Sequence, residues 1–248
     1  MWTARVFTLY PELFPGPLGV GLYKRALEKK LWSLEVVNIR DYAEEKHKTV
    51  DATPFGGGSG ILMRAEVVAN SLDKNISDEN ESIIYLSPKG RKFDQVCAKK
   101  ILKKNVNILC GHFEGVDQRL LETRNIEEVS VGDFVLSGGE VAAMLIIDSI
   151  VRLIPGVLGN SNSLTEETFE RNLLEYPQYT KPQKWEKKDV PDVLLGGDHA
   201  KIKRWRLEQS EDITRRRRPD LWEKYKYYMR SFWRNRRKII RNKKYRRS

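Results

Sequence analysis

Residues 131–148 read VGDFVLSGGEVAAMLIID and contain three glycines around a short apolar run, followed by a helical pattern. Glycine has no Cβ, so it allows the backbone to approach a neighbouring group closely. The apolar run predicts a strand over 131–137, and the stretch after Gly139 predicts a buried helix over 140–154. The spacing therefore raises the question of what Gly132, Gly138 and Gly139 approach.

The rest of the N-terminal two-thirds alternates strand-like and helical patterns. Strands are predicted at 4–10, 34–39, 82–87 and 106–111 in addition to 131–137. Amphipathic helices are predicted at 20–30, 65–72, 93–104 and 140–154. This alternation is typical of an α/β fold with a parallel sheet covered by helices on both faces. Ligands of such folds bind at the carboxyl ends of the strands.

Three glycine-bearing turns follow three successive predicted strands. They read YLSPKGRKF (85–93), CGHFEGVDQR (110–119) and VGDFVLSGGE (131–140). Backbone N–H and C=O groups in such turns can hydrogen-bond an adenine edge and a ribose. Each turn alone is typical of an ordinary tight turn, but their serial placement favours one deep nucleoside pocket.

A fourth glycine cluster, PFGGGSG, spans residues 54–60. It lacks the Gly-Lys-Ser/Thr ending of a phosphate-binding P-loop, and no GxGxxG opens a helix after the first strand. ATP and dinucleotides are therefore poor candidates for the ligand. The cluster is either a lid over a ligand or an ordinary loop.

The charge of the chain is concentrated at its C-terminal end. The formal net charge is +11, and residues 201–248 hold 20 Lys/Arg against 5 Asp/Glu, whereas residues 1–200 hold 25 against 29. Aromatic residues such as Trp222 and Tyr227 lie among these cations, a mixture that suits stacking bases and phosphates. The segment predicts a polyanionic partner; the alternative is a solvated helical face whose aromatic residues are core.

The pattern changes after Pro155 and Gly156, where NSNSLTEE (160–167) is polar and turn-rich. We expect a first domain over 1–160, a linker over 161–170 and a smaller, mainly helical domain over 171–248. The second domain is expected to be helical from residue 201 through the basic end of the chain.

Several classes of protein are disfavoured. No run reaches the roughly 18 apolar residues of a membrane span, and the first residues do not resemble a signal peptide, so we expect a cytoplasmic protein without a membrane partner. Two cysteines and three histidines match no zinc spacing, which predicts no structural metal. Cys110 at a strand end is expected to be a small buried hydrophobe and not a nucleophile.

Together these blocks resemble a known family. LSPKGRKF, CGHFEGVDQR, VGDFVLSGGE and IPGVLG, with HKTVDATPFGGG upstream and LLEYPQYTKP, VPDVLLGGDHAKIKRWR and RRRRPDLW downstream, are similar to the bacterial-type tRNA (guanine-N1)-methyltransferases. The resemblance covers roughly residues 1–224. From about residue 225 the basic, aromatic tail carries no motif of the family.

The resemblance implies a trefoil-knotted fold of the SPOUT class, a homodimer, and S-adenosylmethionine bound in a pocket formed by the knot. Its cofactor contacts fall on Tyr85, Leu86, Ser87, Pro88, Gly111, Phe113, Glu114, Gly115, Val131, Gly132, Phe134, Leu136, Gly138 and Gly139. Phe113 and Phe134 stand where the family pattern has tyrosines. The walls for stacking are therefore kept, while two phenol hydroxyls are missing.

The reaction that the resemblance implies is methyl transfer to N1 of the guanosine immediately 3′ of the anticodon. N1 carries a proton, so a base must remove it while a cation stabilises charge on O6. The family's arginine corresponds to Arg152. Its aspartate corresponds to Glu167, with Glu166 as the near alternative; from the residues alone, both acids also suit the cap of a following helix.

The resemblance also implies contacts to the substrate base from His47, Lys48, Asp51 and Ser163. It further implies dependence on Mg²⁺ and binding of the tRNA anticodon stem by the second domain. Two other interpretations stay open: a non-enzymatic RNA-binding protein that uses the basic tail, and a knotted methyltransferase that acts on another RNA position.

Overall fold

The computed structural model describes residues 1–45, 47–57, 60–78, 81–159, 168–169 and 172–245, with side chains described as far as residue 232. The chain divides into two compact units, 1–159 and 160–248, called here the N-terminal unit and the C-terminal unit. Within the described residues, no helix is both long and apolar enough to cross a membrane.

The N-terminal unit contains seven strands and five α-helices among its described residues. The strands are β1 Trp2–Thr8, β2 Trp32–Asn38, β3 Asp51–Ala52, β4 Leu62–Met63, β5 Ser82–Lys92, β6 Val106–Cys110 and β7 Glu127–Ser130. The helices are α1 Gly21–Glu28, α2 Ala65–Asn75, α3 Gln95–Ile101, α4 Gln118–Thr123 and α5 Glu140–Val151. Three short 3-10 helices span Pro11–Leu13, Gly16–Gly19 and Ile39–Tyr42.

Five of these strands form one sheet in the order β2-β1-β6-β5-β7. Every neighbouring pair in the sheet is parallel, so the expected α/β architecture with a parallel sheet is confirmed. Helices α2 and α4 pack together on one face, and α3 and α5 pack together on the other. The short antiparallel pair β3 and β4 lies outside the main sheet.

The core follows from the alternation of side chains along each strand. Phe7 of β1, Tyr85 of β5 and Leu109 of β6 are buried in one apolar cluster with residues of α2 and α4. Neighbouring strand residues such as Val6 and Ile108 point to the opposite face and are fully buried as well. Continuous apolar strands of this kind are expected where a parallel sheet is covered on both faces.

The predicted strand over 131–137 is wrong. The edge strand β7 spans Glu127–Ser130, and residues 131–139 form turns that lead into α5. Gly132 and Gly138 interrupt the run, and Phe134, Val135 and Leu136 between them are exposed. The sequence pattern also did not predict α4, which spans only six residues.

The C-terminal unit contains a hairpin of β8 Lys184–Trp185 with β9 Lys188–Asp189, followed by α6 Asp192–Leu195, α7 His199–Arg217 and α8 Pro219–Tyr245. The expected helical segment is confirmed, with a break at Arg218. Asp198 begins α7 by accepting hydrogen bonds from the backbone N–H groups of Ala200 and Lys201. Helices α7 and α8 are joined where the buried Tyr225 hydroxyl donates to Glu211.

Candidate active site

The three predicted turns meet in one cavity. Strands β6, β5 and β7 are adjacent and parallel, so the turns that follow them leave the same edge of the sheet. The cavity between these turns has a volume of about 290 Å³. It is built entirely from residues of the N-terminal unit.

All fourteen residues predicted to contact the cofactor line this cavity. They are Tyr85, Leu86, Ser87, Pro88, Gly111, Phe113, Glu114, Gly115, Val131, Gly132, Phe134, Leu136, Gly138 and Gly139. The lining also includes His112, Glu128 and Ala142, which the sequence did not single out for this purpose. The structure therefore brings all of these residues together around one cavity.

The first turn arises from an irregularity in β5. Leu86 and Arg91 both align with Val129 of β7, so residues 87–90 are looped out of the ladder. A Cβ on Gly90 would overlap the backbone of Val129, which explains glycine at that position. The loop therefore brings Ser87 and Pro88 to the wall of the cavity.

The second turn is held in a left-handed conformation. Phe113 has φ +57° and Gly115 has φ +113°, values that favour glycine and are uncommon for phenylalanine. The backbone N–H of Met63 donates to the Gly115 carbonyl at 2.9 Å, and that of Glu114 donates to the Ile61 carbonyl at 3.0 Å. The segment next to β4 thus fixes the shape of this turn.

In the third turn, Gly132, Gly138 and Gly139 each lie close to a neighbouring group. The Gly139 N–H donates to the Gly111 carbonyl at 3.0 Å, and a Cβ on Gly139 would lie 2.7 Å from Cys110 Cα. A Cβ on Gly138 would overlap the His112 ring, and one on Gly132 would overlap the ring of Phe134. Gly138 and Gly139 therefore let the chain after β7 pack against the turn that follows β6, whereas Gly132 makes room for the Phe134 ring of its own turn.

A buried polar network lies behind the cavity, and sequence reasoning missed it. His112 Nε2 lies 2.8 Å from both carboxylate oxygens of Glu140, and the Thr8 hydroxyl donates to the same carboxylate. The Glu140 side chain is only 3% exposed, and the ring of Tyr10 lies 4.9 Å from that of His112. A glutamate at the start of an otherwise apolar helix was the available signal for such a network.

Cys110 and Cys97 are both buried free cysteines. Burial, and then the nearby Glu140 carboxylate, raise the pKa of the Cys110 thiol well above its ordinary value. The thiol therefore stays protonated, which is the wrong state for a nucleophile. The expectation that Cys110 is a small buried hydrophobe is confirmed.

Arg152 lies at the C-terminal end of α5, whereas Ala142, near the start of that helix, lines the cavity. Ten residues of helix separate them, which corresponds to about 15 Å. Near Arg152, burial and then a hydrogen bond to Asp148 raise the pKa of Tyr23 to about 12. The Tyr23 hydroxyl is therefore a neutral donor to Asp148 one turn before Arg152.

The remaining predicted residues are placed unequally. Glu167, its alternative Glu166, and Ser163 lie outside the described residues. Asp51 pairs with Met63 in the β3–β4 ladder, next to the turn at Gly115. His47 and Lys48 are exposed and do not line the cavity, and Lys48 Nζ lies 3.4 Å from Asp41.

The glycine cluster at 54–60 is described except for residues 58 and 59. A Cβ on Gly60 would lie 2.5 Å from Cγ of Glu114, so this end of the cluster contacts the second turn. Its function as a lid stays a prediction. Within the described part of the chain, no three His, Cys, Asp or Glu side chains are grouped so that they could hold a metal ion.

Known proteins resemble this chain over most of its length. The family model of tRNA (Guanine-1)-methyltransferase TrmD matches residues 1–224. A tRNA (guanine-N(1)-)-methyltransferase of Pelagibacter ubique is 66% identical over 227 residues, which cover 91% of this chain and 99% of the relative. Enzymes of the same name from Brucella canis and Brucella ovis are each 51% identical over 237 residues, which cover 95% of this chain and 93% and 95% of those relatives.

The match includes the three turns around the cavity and Arg152, and it ends within α8. A model match over most of the chain and a relative of 66% identity both point to one family. The chain therefore belongs to the tRNA (guanine-1)-methyltransferase family.

Proposed function

We propose that the protein transfers a methyl group from S-adenosylmethionine to N1 of the guanosine immediately 3′ of the anticodon in tRNA. The observation that carries this proposal is the single cavity lined by all fourteen residues expected to contact the cofactor. Three turns from adjacent strand ends supply its walls. The family to which the chain belongs supports methyl transfer to tRNA.

The residues of the cavity suit S-adenosylmethionine. The loop over 87–90 and the turn at Gly111 offer backbone groups for an adenine edge and ribose, and the rings of Phe113 and Phe134 offer apolar walls. Glu114 and Glu128 bring carboxylates to a ligand with a positive sulfur and an amino group. When bound, this cofactor supplies an activated methyl group and departs as a neutral thioether.

The protein's own task is to prepare guanine N1. We assign Glu167 as the base that accepts the N1 proton and Arg152 as the cation that stabilises negative charge on O6. The family match supports this assignment, because it covers residues 1–224 and therefore both Arg152 and Glu167. His47, Lys48, Asp51 and Ser163 are proposed to position the base.

We propose that the enzyme is a homodimer. Val141 and Leu145, four residues apart on α5, are 63% and 46% exposed, and Val135 in the turn before them is 84% exposed. Exposed apolar side chains so close together are typical of an interface. Since Arg152 does not line the cavity of its own chain, Arg152 of the partner subunit is proposed to complete each site.

The proposed knot has support from the same contacts. A trefoil requires that the chain after β7 pass through a loop formed earlier, and threaded chains are rare. The approach of Gly139 to Cys110 and Gly111 is the kind of close crossing that such threading needs. The knot is therefore proposed together with the cofactor site that it would form.

Residues 171–248 of the C-terminal unit are proposed as the tRNA-binding domain, with the linker at 161–170 before them. The cations of this domain would locate the tRNA through phosphates and leave recognition of the base to the cavity. A tRNA substrate implies a cytoplasmic location. The described residues provide no carboxylate cluster for Mg²⁺, so no protein ligand is assigned to that ion.

Incubation with S-adenosylmethionine and an unmodified tRNA transcript tests the function. A methyl group on N1 blocks Watson–Crick pairing, so reverse transcription should stop at the guanosine 3′ of the anticodon. A transcript with adenosine at that position is the control and should give no stop. Methylation at another nucleotide would identify a different RNA target, and calorimetry without heat on addition of the cofactor would indicate a non-enzymatic RNA-binding protein.

A further inference from the structure

A second cavity lies within the C-terminal unit. Its volume is about 500 Å³, and it is lined by residues 176–181, Gln183 and Val190, and by side chains of α6 and of the first half of α7. It shares no residue with the cavity for the methyl donor, which belongs to the N-terminal unit. A volume of this size is in the range of small-ligand sites, so its chemistry indicates what it would bind.

Aromatic rings form part of its wall. The ring centroids of Tyr179 and Trp205 are 6.4 Å apart, with their planes at 52°. Tyr179 is 48% exposed, and Trp205 of α7 is partly buried. Leu194 of α6 adds apolar surface to the same cavity. A flat ring entering here would therefore meet a partly exposed aromatic face backed by apolar side chains.

The cavity is also cationic. Lys181 and Arg206 line it, and none of its described lining residues is acidic. The Arg206 guanidinium carbon lies 4.7 Å from the centroid of the Tyr176 ring, a cation–π contact that holds the group in place. A ligand that combines an aromatic ring with a negative charge complements both features of this site.

We infer that this cavity binds one unpaired nucleotide of the RNA substrate. The base stacks against Tyr179 and Trp205, and its phosphate lies near Lys181 and Arg206. A concave site of this size admits a single splayed nucleotide and not a duplex, and recognition of unpaired bases by aromatic stacking is common among RNA-binding proteins.

The inference rests on the proposed function only in that tRNA is the RNA. The bound nucleotide is not the methyl acceptor, because the acceptor must reach the cavity of the methyl donor in the N-terminal unit. The site would therefore add affinity for an unpaired region of tRNA without taking part in the chemistry.

The test compares the full-length wild type with Tyr179→Ala in binding to a tRNA transcript by fluorescence anisotropy at several salt concentrations. Loss of one stacked base should weaken binding about tenfold. The slope of affinity against salt should stay unchanged, since every cation that can pair with a phosphate is kept. Tyr179→Phe, which keeps the ring, should bind like the wild type, and so should Trp185→Ala, which removes an exposed aromatic residue outside the cavity.

A set of transcripts that each lack one base identifies the nucleotide. At one unpaired position, loss of the base should weaken binding to the wild type about tenfold but should not further weaken binding to Tyr179→Ala. Trp205→Leu should give the same pattern if circular dichroism shows that it is folded; otherwise Tyr179→Ala decides. Free nucleoside monophosphate that binds the wild type but leaves the affinity for tRNA unchanged would identify a small-molecule site and overturn the proposal.

The proposal is also overturned if Tyr179→Ala binds the transcript like the wild type, or if the effects of the variant and of base loss add at every position. Methylation of the intact transcript by the wild type is measured in the same preparation. If the wild type binds the transcript but does not methylate it, the proposed function fails while the binding comparison still decides the role of this cavity.

Discussion

Among single residues, Glu140 is expected to stabilise the structure next to the cavity. Its carboxylate is buried and accepts hydrogen bonds from Thr8 and His112. Glu140→Ala would leave the buried Thr8 hydroxyl and the largely buried His112 ring without their acceptor, and each such group costs about 1–3 kcal/mol. We therefore expect the free energy of unfolding, measured by urea denaturation, to fall by about 3 kcal/mol.

The matched control is Glu28→Ala. Glu28 is also on a helix but is exposed and lies 4.0 Å from Lys24, so its removal should change the free energy of unfolding by less than about 0.5 kcal/mol. Equal effects of the two substitutions would show that the buried network does not stabilise the start of α5.

Arg152 is the second case. Because the arginine is proposed to act on O6 and does not line the cavity of its own chain, Arg152→Ala should lower single-turnover methylation about 100-fold or more. The dissociation constant of S-adenosylmethionine, measured by calorimetry, should change less than about twofold, because Arg152 acts on the guanine and not on the cofactor.

Arg152→Lys serves as the conservative comparison. Lysine keeps the charge but not the planar group with two parallel donors, so its rate should fall between those of the wild type and Arg152→Ala. A large loss of cofactor affinity in Arg152→Ala with an unchanged methylation rate in the bound state would show that the residue belongs to the cofactor site.

At the scale of secondary-structure elements, the basic end of α8 is separable from the rest. Residues 233–248 contain nine Lys/Arg and no Asp/Glu, and they lie beyond the family match. A cut at residue 225 would remove Tyr225, which is buried and bonded to Glu211. Truncation after Phe232 keeps that hydrogen bond and removes mainly charge.

This truncation should weaken binding of tRNA. It should also reduce the slope of log affinity against log salt by about 0.7–0.9 for each phosphate that the tail neutralises in the wild type. Anisotropy titrations over a salt series measure both quantities. A full-length variant with the nine cations replaced by glutamine should behave like the truncation. If both variants retain the wild-type slope, the tail does not bind phosphate.

How far the elements could be predicted depends on where each one lies in the sheet. The interior strands β1 and β6 carry buried apolar residues on both faces, so pattern alone located them to within two residues. The interior strand β5 was predicted over 82–87 but extends to Lys92. The edge strand β7 begins with Glu127 and Glu128 and has no such run. The apolar residues 134–136 beyond it are exposed in the single chain, although their sequence pattern is typical of a strand.

The candidate site shows a similar division. The turns at 87–90, 111–115 and 131–139 carry glycines at strand ends. This local signal, together with the family resemblance, identified fourteen of the residues that line the cavity. The contact of His112 with Glu140 joins residues 28 positions apart. It depends on how the chain after β7 packs on the turn after β6, which no local pattern specifies.

At the scale of the whole molecule, the proposed dimer predicts that active sites are shared. Arg152→Ala removes the proposed catalytic arginine. Gly132→Leu damages the cofactor cavity, because a side chain at Gly132 would displace the Phe134 ring from the cavity wall. Each variant alone should be inactive. If the partner supplies the arginine, an exchanged equimolar mixture should regain about a quarter of wild-type activity, since half of the dimers are mixed and each has one intact site.

The control adds Val141→Asp and Leu145→Asp to both chains. These changes place charges on the exposed apolar face of α5 and should yield monomers in analytical ultracentrifugation and no recovered activity. If the mixture stays inactive while the two chains form mixed dimers, each subunit completes its own site.

In the proposed site, the turns at 87–90, 111–115 and 131–139 together enclose the methyl donor. A crystal structure of the protein with S-adenosylhomocysteine tests this arrangement most directly. We expect density for adenine and ribose in the cavity of the N-terminal unit, in contact with backbone groups of all three turns. Density for the ligand at another place, with this cavity filled only by solvent at a saturating concentration, would contradict it.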